Sequence, residues 1–143
     1  MNSWKYADKM KYLNPIDDEF FKKMAEDKNF CQEVLRIVME DPALTVQELI
    51  PQNSVKNLQG RSVVLDSFCK TSDNQHCNIE VQKENDDDHL RRIRYNGSCI
   101  TVNITNTGSK FKQVPDVCVI FISRSDIFKG NHPLYHVDSV IRE

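Results

Sequence analysis

Two strand-like runs, "RSVVLDSFCK" and "HCNIEVQK", flank the polar turn "TSDNQ", and this pair constrains the fold more than any other stretch of the chain. Both runs carry the β-branched and aromatic content of strands. In "NIEVQ" the polar Asn78, Glu80 and Gln82 alternate with Ile79 and Val81, the two-residue period of a half-buried strand. A turn centred on Asp73 pairs residues equidistant from it, so an antiparallel hairpin sets Asp66 opposite Glu80. Such partners have Cβ atoms roughly 4.5–5.5 Å apart, close enough to share a cation and to repel without one. A slip of one residue would part them.

The flanks predict helices packed on that hairpin. From Ile16 to Met39 the pattern is helical in two pieces, Phe20, Phe21 and Met24 forming one apolar stripe and Val34, Leu35 and Val38 the next, with polar "EDKN" between them. Asn29 and Gln32 have the spacing of a capping box for the second piece, and Pro42 ends it. "TVQELI" reads as a short strand closed by Pro51. From Asp86 a helix is expected, with Leu90, Ile93, Gly97, Ile100 and Ile104 on its inner stripe and Asp86, Asp87 and Asp88 at the end where the dipole favours anions. "VCVIFI", Val117 to Ile122, is apolar on both faces, as a central strand covered on each side would be. "PLYHVDSVI" reads as a last, more exposed strand. The order predicts an α/β protein with a central mixed sheet flanked by α-helices.

A chain of 143 residues suits one domain over residues 1–143 with a sizeable core. Five cysteines, Cys31, Cys69, Cys77, Cys99 and Cys118, form no CxxC pair and read as reduced thiols packed as small hydrophobes. No apolar run is long enough to span a membrane and the N-terminus lacks a secretory signal, so the expected location is cytoplasmic with no membrane partner. The formal net charge of −2 gives no global attraction to nucleic acid, so DNA binding requires a local basic patch or metal ions. Arg91, Arg92 and Arg94 are the candidate DNA-binding patch. They could equally pair with Asp87 and Asp88 or support the acidic site.

A carboxylate on one strand, with a carboxylate two residues before an amide on the next, suits Mg²⁺, which takes one or two carboxylates and keeps several waters. On "VVLDSF", "CNIEVQ", "HLRRIRYNGSCI", "VCVIFI" and "YHVDSVI", led by "DEFFKKMAEDKNFCQEVLRIVM", the chain resembles the PD-(D/E)XK nuclease superfamily, and within it the PD-(D/E)XK nuclease family transposases, or recombination-promoting nucleases. The resemblance covers the chain from about residue 14 to 143 and implies a restriction-endonuclease-like core that cleaves DNA with Mg²⁺, or Mn²⁺ in its place. It makes Asp66 the first metal-binding acid, Glu80 the second, and Gln82 the occupant of the position that is lysine in the superfamily's motif. Glutamine is common there in this family, yet a neutral amide brings no positive charge to a phosphate. Lys83 would point to the opposite face of a regular strand. A helical glutamate often completes the superfamily's site, and Glu33 is the candidate for that third ligand. Chains of this family often continue into a helical region, so residues 1–143 are expected to be a nuclease core lacking a C-terminal extension, as a monomer or a homodimer. The alternative is an inactive nuclease-fold relic that binds DNA or protein.

For single residues the plainer readings compete. His132 and His136 have a metal-like spacing, but Pro133 argues against the helix that would align them. Tyr95 could stack near substrate or simply pack helix to sheet.

Overall fold

The structure is a computed structural model that describes residues 14, 16–56, 60, 63–82 and 88–143. In chain order the elements are α1 (Asp18–Met24), α2 (Lys28–Val38), β1 (Val46–Val55), β2 (Val63–Thr71), β3 (His76–Gln82), α3 (His89–Ile104), a 3-10 turn (Phe111–Gln113) and β4 (Val117–Ser123). The strands form one mixed sheet in the order β1-β2-β3-β4, antiparallel except for the parallel pair β3 and β4. A parallel pair needs a crossover, and α3 supplies it. The result is an α/β sheet flanked by helices, as expected for a restriction-endonuclease-like core.

The hairpin has the register expected of a turn centred on Asp73. Ser67 pairs with Ile79, Phe68 with Asn78, Cys69 with Cys77 and Lys70 with His76. Asn74 takes the left-handed conformation in the turn (φ 69°), which asparagine tolerates better than most residues.

The two faces of the sheet differ in chemistry. Ile79, Val81, Cys69 and Cys77 pack against α1 and α2 through Phe21, Ala25, Cys31 and Leu35. On the other face Phe68 and Leu65 pack against Cys99 and Ile100 of α3. Leu35, Leu65, Ile79 and Ile100 are all essentially inaccessible, and each such side chain contributes roughly 1.5–3 kcal/mol by burial. Leu65 and Phe68 have opposite parity along β2 yet share one cluster, so the alternation slips by one between them. That slip falls at Asp66, opposite Gln52 of β1, which has a positive φ of 50°.

Several expectations need correction. β1 does not close at Pro51 but runs through it to Val55, and Pro51 pairs with Ser67. β1 is an edge strand among the described residues, and at an edge a missing N–H is tolerated. The cap of α2 is Asp27, whose carboxylate accepts from Phe30 N–H at 2.9 Å, while Gln32 accepts from Val46 N–H at 2.9 Å. β4, expected at the centre, is the other edge among the described residues, with Ile120 its one buried side chain. "PLYHVDSVI" forms no strand. Asp126 instead gathers the N–H groups of Phe128, Lys129 and Asn131 and the Tyr135 hydroxyl into a loop, and His132 N–H donates to Tyr135 Oη.

The inner stripe of α3 is also rotated from the expected one. Its buried residues are His89, Asn96, Cys99 and Ile100, whereas Leu90 is half exposed. The polar sheet face that it covers accounts for the buried asparagine. Gly97 lets the helix approach β4, since a Cβ there would lie 3.4 Å from Val119 Cγ2. Asp86 and Asp87 lie outside the described residues, as does Lys83.

Candidate active site

β2, β3 and α3 bring their polar side chains together at one end of the sheet. The paired residues of the hairpin end at Ser67 and Ile79, one short of Asp66 and Glu80. Asp66 Oδ2 accepts from Val81 N–H at 3.1 Å, which holds the carboxylate at the end of the ladder, beside the groove described below. This cross-strand bond replaces part of the ladder where the alternation slips.

Glu80 is buried, and burial of an ionisable carboxyl demands partners. Its Oε1 accepts from Asn78 Nδ2 at 2.7 Å and from Asn96 Nδ2 at 2.9 Å. Burial still raises its pKa above the usual carboxylate range, and the Asp66 charge pushes in the same direction. The two amides and the Arg92 charge oppose that rise. Asn78 Oδ1 is buried and accepts no hydrogen bond among the described residues, an unmet acceptor beside the acid.

Gln82 Oε1 accepts from Arg92 Nη1 at 2.7 Å, and Arg92 Nη2 lies 3.7 Å from Asp88 Oδ1. The ion pair with Asp88 is the i,i+4 pair that the sequence allowed. Asp66, Glu80, Gln82, Arg91, Arg92 and Arg94 all line one groove of about 790 Å³, together with Lys22 of α1 and Tyr95 of α3. Tyr95 also packs against the Leu65 and Phe68 cluster, so the packing reading holds beside its place in the groove.

Glu33 is not brought to this groove. It lies on α2, which covers the opposite face, and its Oε1 accepts from Arg36 Nη1 at 2.7 Å. Among the described residues no three Asp, Glu, His or Cys side chains gather as metal ligands. All five cysteines are free thiols.

Asn96 and Lys22 are the residues that sequence reasoning missed. Asparagine is a poor helix former, and one placed seven residues after His89 and four before Ile100 on a helical stripe is a signal that could have been read. Lys22 carries no such signal.

The residues fit a hard divalent cation. Burial and the Asp66 charge both disfavour Glu80 as an anion, and a cation bound beside it would relieve both effects. The donors of this acid pair are carboxylate oxygens, which suits Mg²⁺ or Mn²⁺ rather than a thiophilic metal. Bound there, the ion would supply Lewis-acid stabilisation and an activated water.

No helix among the described residues is long and apolar enough to cross a membrane. Comparison with curated proteins and with solved structures gave no match. A family model described as PD-(D/E)XK nuclease family transposase matches residues 15–143. With the hairpin register and the α3 crossover already in place, that match over nearly the whole sequence shows that the chain belongs to the PD-(D/E)XK nuclease family transposases.

Proposed function

We propose that this chain is a divalent-metal-dependent DNA endonuclease of the recombination-promoting type, a single nuclease domain with Asp66 and Glu80 as the metal ligands. The observation that carries the reading is the holding of Glu80. Two amides donate to the same oxygen, Oε1, and so favour the anion of a buried carboxyl against the cost of its burial. A carboxyl needed only for packing would be neutral or absent.

In phosphodiester hydrolysis a water oxygen bonds to phosphorus and one P–O ester bond breaks. The attacking water gives up a proton and the departing oxygen takes one up. The residues of this chain serve that change by position. Val81 N–H and the Asn78 and Asn96 amides fix the two carboxylates. Gln82 presents an amide at the edge of the groove, where it can orient water, and Arg91 and Arg94 offer exposed cations to the flanking phosphates.

Plasmid nicking by the purified chain in Mg²⁺, Mn²⁺ and EDTA, beside Glu80→Gln and Asp66→Asn, tests the reading. Nicking that needs the metal and is lost in both variants is expected. Equal nicking by the variants, or none by the parent chain at low salt, overturns it, and the latter favours the inactive DNA- or protein-binding relic.

A further inference from the structure

We infer that Arg92 brings to the scissile phosphate the positive charge that a glutamine at position 82 cannot, with Gln82 acting as its bracket on β3. The inference rests on the endonuclease reading above. Arg92 differs from its neighbours on α3 in how it is held. Its guanidinium donates to Gln82 at the end of β3 at 2.7 Å and lies 3.7 Å from Asp88 at the start of α3. The Arg91 and Arg94 side chains are exposed and make no hydrogen bond to Asp66, Glu80 or Gln82 among the described residues. The Arg92 side chain is 36 % exposed, neither sealed in the core nor loose in solvent.

The bond also fixes the orientation of the amide. A guanidinium only donates, so the Gln82 atom that meets it must be the carbonyl oxygen, and the amide N–H₂ turns away from Arg92. One cation and one amide donor are thereby offered at the rim of the groove that holds Asp66 and Glu80. As the water oxygen bonds to phosphorus and the ester bond breaks, negative charge builds on the non-bridging oxygens, and a cation fixed beforehand stabilises it most. Guanidinium suits this task because its planar fork matches phosphate geometry.

The test uses the full chain with Arg92→Gln and with the double variant Gln82→Lys/Arg92→Gln, each with Mn²⁺ affinity by calorimetry and, for Arg92→Gln, the Gln82 side-chain amide signal by NMR in the metal-free protein. For Arg92→Gln the expected result is a kcat lower by roughly 10²–10³-fold, with Mn²⁺ affinity and KM for DNA little changed and the Gln82 amide signal shifted. The double variant should recover most of the lost kcat, because its lysine restores a cation from β3. A rise in KM at unchanged kcat would reduce Arg92 to a binding residue and overturn the inference. Lost Mn²⁺ affinity, an unmoved Gln82 signal or a double variant as slow as Arg92→Gln would overturn it too. Absence of cleavage by the parent chain would instead overturn the endonuclease reading, and this inference with it.

Discussion

Asn96, on the helix that crosses over between β3 and β4, donates its side-chain amide to Glu80 Oε1 at 2.9 Å. Through this bond α3 senses the ionisation state of the sheet. A hydrogen bond to a charged group contributes roughly 1.5–3 kcal/mol. Asn96→Ala should therefore lower the free energy of unfolding by about that amount near pH 8. The loss should shrink as the pH falls and Glu80 takes up a proton. Urea unfolding at pH 8 and at a pH below the Glu80 transition measures this, and an equal loss at both would assign Asn96 to packing alone.

Glu80→Gln should stabilise the protein while removing a metal ligand. Burial, joined by the charge of Asp66, raises the Glu80 pKa above its ordinary value of 4.5. A carboxyl with a raised folded-state pKa adds stability that is fully present below the unfolded-state value and lost as the pH rises through the folded-state one. Above that window wild-type Glu80 is a net cost, which glutamine avoids while keeping an oxygen for both amides. Thermal melts should show Glu80→Gln above wild type at pH 8 and level with it near pH 4. Mg²⁺ should narrow the gap by raising the wild-type midpoint alone, with about 2.7 kcal/mol of stabilisation at a hundredfold excess over Kd.

The thiols give a chemical check on the sheet. Cys118 of β4 pairs in register with Cys77 of β3 and is only half buried. The hydrogen bond from the Cys77 thiol holds its pKa down to about 7, whereas Cys77 itself is pushed up. Iodoacetamide should label Cys118 first, with a rate that rises through about pH 7. Peptide mapping that finds Cys77 or Cys69 modified first would contradict the β3 and β4 register.

Arg91 and Arg94 line the groove with exposed side chains and should act on affinity rather than on chemistry. In EDTA the double variant Arg91→Ala/Arg94→Ala should bind duplex DNA more weakly. Its log affinity should fall less steeply with log salt, the slope changing by about 0.9 for each phosphate that is no longer neutralised. An unchanged slope would place the DNA elsewhere.

The hairpin was the most legible part of the fold, because the alternation of "NIEVQ" and a polar turn centred on Asp73 admit one register that buries Ile79 and Val81. The same alternation sets Glu80 and Gln82 on one face of β3, and Asp66 reaches that end of the strand through the Val81 N–H. Glu33 did not converge, because periodicity gives the stripe of a helix and not the face of the sheet that it covers. β4 looked central from its apolar run alone, yet strand order depends on partners far along the chain. Asn96 was hidden for a related reason: its burial matches a buried acid on another element, and no local pattern records such pairing. Pro51 would stop a strand inside a sheet but does not stop β1 at its edge.

The proposed chemistry requires Asp66 and Glu80 to hold one divalent ion together, and titration of Mn²⁺ into the chain by calorimetry tests this without any choice of DNA. A single site is expected, lost in both Asp66→Asn and Glu80→Gln while both variants keep the wild-type circular dichroism spectrum. Mn²⁺ binding that survives either substitution unchanged would contradict a shared ion between these two acids.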